Sequence, residues 1–267
     1  MSVIDKYNQR AEAVNSLLCV GLDSALNKLP ERFRSESYPQ FAFNRWIIEQ
    51  THAYVSAYKP NIAFYEAQGD QGLRDLKLTL DYLHQKHPDI FTICDAKRGD
   101  NSTSNGGYVA AIFDGLGFDA VTLQPYMGSQ VLQPFLSRKE KGCIILCRTS
   151  NPGDEELQDL QLKDGWTLWQ IVAEKVSRDW NVNQNCMLVV GATRPDELRQ
   201  VRAIVGEMTL LVPGIGEQGG SVQQAVTAGL NSGRKGMIIN ASRSVIFAAD
   251  PAVEARSLRD EINRYRG

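Results

Sequence analysis

The chain has 267 residues, 43% of them hydrophobic, and carries 29 Lys and Arg against 31 Asp and Glu for a net charge of −2. That length suits one large α/β domain or two small ones, and the interspersed charges offer no basic field for nucleic acid or a membrane surface. No apolar run nears membrane-spanning length and Met1-Ser2-Val3-Ile4-Asp5-Lys6 lacks a signal-peptide core, so a soluble, cytoplasmic protein is expected.

Residues 1–16 are expected to form a helix ahead of the first strand. Short apolar runs then recur: Leu17–Leu22, Tyr58–Phe64, Phe91–Asp95, Ala120–Leu123, Cys143–Cys147, Met187–Gly191, Thr209–Val212 and Met237–Asn240. Amphipathic segments separate them. Leu73, Leu76, Leu80 and Leu83 repeat at helical spacing, as do Ala255, Leu258, Ile262 and Tyr265. Asp250-Pro251 reads as an N-cap with proline at the first helical position. Gly115, Gly117 and Gly229 fall where helices should stop. No Pro- or Ser-rich linker divides the chain. Eight strand–helix pairs in this length predict a single-domain (β/α)₈ TIM barrel spanning 1–267; a doubly wound sheet, the competing architecture, would not need eight units.

The five cysteines lie mostly within apolar runs and read as small core residues in a reducing compartment. The three histidines, His52, His84 and His87, sit in helical or turn contexts, so neither a zinc site nor a Ser-His-Asp triad is expected.

In such a barrel catalytic groups sit at the C-terminal strand ends. Those ends are Asp23, Lys59, the segment Asp95–Asp100, Gln124, Ser150, Thr193, the loop Gly214–Gly220 and Arg243. The densest charge is Lys59 with Asp95, Lys97 and Asp100. Residues spaced i, i+2 on a strand share a face, so Asp95 and Lys97 are expected to point the same way. Unpaired buried charge is costly, so this is either a structural ion-pair network or a functional array. After strand seven, Pro213-Gly214-Ile215-Gly216-Glu217-Gln218-Gly219-Gly220 frees backbone N–H groups for an anion. After strand eight, Arg243 offers a bidentate contact. Together they predict a phosphate site where barrels commonly hold one. A tight turn plus a surface arginine is the plain structural alternative.

Asp95-Ala-Lys97-Arg-Gly-Asp100, with Lys59-Pro-Asn-Ile-Ala-Phe-Tyr-Glu66 before it and Arg148-Thr-Ser150-Asn-Pro-Gly153 after it, resembles the orotidine 5′-phosphate decarboxylase family, in particular its longer bacterial subgroup. The resemblance runs from Val20-Gly-Leu-Asp23 to Ser242-Arg243. It implies a cofactor-free, metal-free decarboxylation of orotidine 5′-phosphate to uridine 5′-phosphate. In that reading Lys59, Asp95, Lys97 and Asp100 are catalytic, with Lys97 protonating C6 of the pyrimidine. Asp23 and Lys59 would bind ribose hydroxyls, and Ser150 the ring. Pro213, Gln218 and Arg243 would line the phosphate end. A homodimer is implied, in which Asp100 and Ser104 complete the neighbouring subunit's site. Asn101 replaces the family's usual isoleucine and Ser104 its usual threonine, so the fine geometry of the shared site is the point to examine. A Mg²⁺-dependent sugar-phosphate decarboxylase or aldolase on the same barrel would want an extra carboxylate near strand two, for which Glu66 is the candidate. A nucleotide-binding protein without catalysis is the reading that Asn101 alone suggests.

Overall fold

The computed structural model describes residues 2–215 and 219–267. Eight parallel strands close into one barrel: β1 Leu18–Val20, β2 Ala57–Tyr58, β3 Phe91–Arg98, β4 Ala120–Leu123, β5 Gly142–Arg148, β6 Cys186–Val190, β7 Leu210–Pro213 and β8 Met237–Ala241, each paired with the next and β8 with β1. Every residue of β1, β2, β4, β6 and β8 is buried, which is why these strands read as continuous apolar runs and not as alternating ones. Helices cover the outside. In Gly69–Lys86, Leu76, Leu80 and Leu83 pack inward while Leu73 stays exposed. The N-terminal helix spans Val3–Ala13 and begins with a reciprocal Ser2–Asp5 capping box. Before the last helix, Pro251–Arg266, Asp250 accepts the N–H groups of Ala252 and Val253 at 3.0 Å, a cap worth about 1 kcal/mol. All five cysteines are buried and unpaired. No helix among the described residues is long and apolar enough to cross a membrane.

The second apolar run departs from expectation. Only its first residue, Tyr58, belongs to β2, and Ala63–Glu66 is a helical turn. Pro60 has no N–H to give a ladder, and the Asn61 side chain accepts the Ala63 N–H at 3.2 Å, which starts the turn. The chain between still registers on β3: Asp95 N–H donates to Pro60 O at 3.0 Å, and Ile62 N–H to Asp95 O at 3.2 Å. These two bonds set the tip carrying Lys59 directly beside Asp95.

Candidate active site

A cavity of about 300 Å³ opens at the C-terminal ends of the strands. Seven residues singled out from the sequence line it: Asp23, Lys59, Asp95, Lys97, Ser150, Pro213 and Arg243. Gln124 and Thr193, also read as strand-end donors, are not among its lining residues, and Gln218 lies outside the described residues.

At the cavity floor Lys59 Nζ is 3.0 Å from Asp95 Oδ2, and Lys97 Nζ is 2.6 Å from Asp95 Oδ1. Burial by itself would push the Asp95 carboxyl up, but Lys59 and then Lys97 outweigh it and hold the group well below the usual carboxylate range. Burial likewise works against the Lys59 charge, and Asp95 with Asp23 overcomes it, leaving that ammonium more basic than usual. Asp95 and Lys59 are therefore ionised throughout the neutral range. Lys59 is only 5% exposed, whereas Lys97 is 47% exposed and stands at the cavity's wet side.

Asp95 and Lys97 do meet, but not by the simple alternation of a flat strand. Lys97 has φ +47°, a left-handed conformation costing an L-residue about 1–2 kcal/mol. The pairing of β3 with β4 is irregular between Cys94 and Arg98. The side chain at the irregularity is Thr122 of β4, a cavity-lining residue that sequence reasoning passed over in favour of Gln124 two positions on. Its only signal was a lone hydroxyl in the otherwise apolar run Ala120–Leu123.

Asp23 follows β1. Its Oδ1 is buried and has no donor among the described residues, so this acceptor is suited to a ligand hydroxyl. The β1 and β8 ends approach closely here: a Cβ on Gly21 would sit 1.9 Å from Ser242 Oγ and 2.9 Å from its Cβ, so a larger residue would displace Ser242. Ser150 is set by a comparable contact, for a Cβ on Gly191 would lie 2.6 Å from Ser150 Cβ. Its loop is clamped by Arg148, whose side chain is 1% exposed and is 3.0 Å from Asp159, 3.3 Å from Asp154 and 3.8 Å from Glu197. Four strands round the barrel from β3, β7 stops at Pro213, and Gly220 N–H donates to Gly214 O at 3.1 Å, closing the base of the glycine-rich loop. Arg243 opens a four-residue helix beside it.

Asp100 and Ser104 do not line the cavity of their own chain. Asp100 is exposed, and its carboxylate accepts from the Asn101 N–H at 2.6 Å. Asn101 caps the helix Ser102–Val109, its side chain accepting the Ser104 N–H at 3.0 Å. The unusual residue thus has a local job that isoleucine cannot do. Glu66, the candidate metal carboxylate, is paired with Arg98 and is not part of the cavity.

A closed (β/α)₈ barrel with a Lys–Asp–Lys array at its C-terminal strand ends, and with Gly214 and Arg243 lining the same cavity, defines a barrel lyase. Residues 16–258 match the family described as Orotidine 5′-phosphate decarboxylase / HUMPS family, and the chain belongs to that family. It is 47% identical over 235 residues to the orotidine 5′-phosphate decarboxylase of Christiangramia forsetii, covering 88% of this chain and 85% of that one. The same enzyme of Cellvibrio japonicus is 44% identical over 275 residues, covering 100% of both. Among solved structures, Leishmania donovani OMP decarboxylase superposes with a TM-score of 0.90 at 41% identity, covering 100% of this chain and 99% of that one.

Proposed function

We propose that the cavity binds orotidine 5′-phosphate and releases uridine 5′-phosphate and CO₂. The observation that carries this is the alternation Lys59–Asp95–Lys97, with contacts of 3.0 and 2.6 Å, in a cavity that Arg243 also lines. As the C6–carboxylate bond breaks, its electron pair stays on C6, where the ring delocalises it poorly. Lys97 provides the nearby positive charge and then donates its proton to C6; its partial exposure lets it recharge from solvent. Asp95 lies by the departing carboxylate, a like-charge contact relieved as neutral CO₂ leaves. Lys59 keeps Asp95 charged and, with the unsatisfied Asp23 Oδ1, takes the ribose hydroxyls. Ser150 faces the pyrimidine, while Pro213, Gln218 and Arg243 hold the phosphate end, remote binding energy that serves the reacting centre.

The exposed Asp100 and the half-buried Ser104 act in the site of a second copy. Supporting this, the adjoining segment after β4 exposes Tyr126 (86%) and Met127 (50%), apolar surface suited to an isologous contact.

The direct assay is loss of orotidine 5′-phosphate absorbance on adding purified protein in EDTA. Full activity is expected, and activity that vanishes with EDTA and returns with Mg²⁺ would move the chain to sugar-phosphate chemistry. Arg243→Ala should weaken uridine 5′-phosphate binding by ~100-fold, about 3 kcal/mol for a charged contact, and leave binding of the phosphate-free nucleoside within about threefold. Equal losses for both ligands, read by calorimetry, would remove Arg243 from the phosphate site.

A further inference from the structure

Thr122 makes three hydrogen bonds with one hydroxyl. Its Oγ accepts the N–H of Ala96 and the N–H of Lys97, each at 2.9 Å, and donates to Asp95 Oδ1 at 3.0 Å. One donor and two acceptor sites are all a hydroxyl has, so the group is saturated and its proton is directed at Asp95. The two N–H groups are those of the irregular stretch, where β3 leaves register with β4; regular pairing resumes with Gln124 N–H on Arg98 O at 2.7 Å. Without the hydroxyl, the buried Ala96 N–H and the part-buried Lys97 N–H would both lose this partner. The left-handed Lys97 backbone is thus held by a side chain 25 residues away, and that same side chain touches the carboxylate oxygen that Lys97 Nζ contacts.

We propose that Thr122 is the positioning residue of the reaction: its hydroxyl locks the Lys97 backbone and the Asp95 carboxylate into one rigid unit, so that the ammonium stands where C6 will carry charge. The inference rests on the decarboxylase reading. It follows from the geometry that loss of the hydroxyl, not of volume, is what damages the reaction. Valine keeps the shape of threonine, offers no acceptor, and lets residues 96 and 97 relax toward an ordinary strand. A misplacement of about 1 Å in a reacting group costs on the order of 100-fold. Asp23 and Arg243, which follow β1 and β8 and not β4, should keep their grip on the ligand.

The test is steady-state decarboxylation by wild type, Thr122→Val, Thr122→Ser and Thr122→Cys. An inactive wild type would sink the decarboxylase reading itself and is thereby told apart from failure of this proposal. With an active wild type, Thr122→Val should lose at least ~30-fold in kcat, about 2 kcal/mol of transition-state stabilisation, with KM within about threefold. Thr122→Ser should recover kcat to within roughly fivefold of wild type, because the hydroxyl returns, and Thr122→Cys, a weaker donor and acceptor, should fall between. A valine variant within threefold of wild type in kcat, or serine as impaired as valine, would overturn the assignment. Should the valine variant not fold, the serine–cysteine pair decides: cysteine as active as serine overturns the proposal, and cysteine clearly slower supports it.

Discussion

Lys97→Ala should lower kcat/KM for orotidine 5′-phosphate by roughly 10,000-fold or more while leaving the barrel folded. On the proposed mechanism two things would be lost at once, the proton donor and the charge beside the developing carbanion, each worth on the order of 100-fold or more. The fold should survive because Asp95 keeps two partners, Lys59 Nζ at 3.0 Å and Thr122 Oγ at 3.0 Å. Lys97 itself is half exposed, so water screens its pairing with Asp95 and its loss should cost the fold only modestly. A melting temperature near wild type with activity gone is the expected pair of results. A variant within tenfold of wild type would show that another group protonates C6.

Mixing Lys97→Ala protein with Asp100→Ala protein should restore activity that neither has alone. The backbone at Asp100 is fixed by the buried Asn105, whose side chain accepts the Asp100 N–H at 3.0 Å and donates to Asp100 O at 2.6 Å. The carboxylate is thereby turned out of its own cavity. In a mixed dimer of the isologous kind, one site would collect both lesions and the other would be wild type. Random exchange makes about half of the dimers mixed, each with one intact site, so about a quarter of wild-type activity should return. No recovery after subunit exchange has been verified by mass spectrometry would place the action of Asp100 within its own chain.

Much of the barrel was legible because its determinants are local. Runs such as Cys143–Cys147 and Met237–Asn240 are apolar on both faces, as strands between a packed interior and covering helices must be, and they mark β5 and β8 to within a residue or two. The Asp250 cap and the helix stop at Gly229 are equally local. The second apolar run extends past its strand because apolarity does not distinguish a strand from a buried helical turn; the backbone bonds around Pro60 and Asn61 decide that. Asn101 departs from the family's usual isoleucine, and its place just before Ser102 is a capping signal in its own right.

The charged array divides along the same line. That Lys59, Asp95 and Lys97 belong together follows from the chain itself, since they close successive apolar runs and strand ends converge in a barrel. The way they are held does not. A non-glycine residue with positive φ is unfavourable by local preference alone, so nothing near Lys97 in the chain announces its φ of +47°. It persists because Thr122, on the neighbouring strand, meets the two N–H groups that the irregular ladder leaves over. Residue types and strand order, both written locally, determined which groups meet at the floor of the cavity. Long-range hydrogen bonding, which exists only once the barrel has closed, decided the conformation in which they meet.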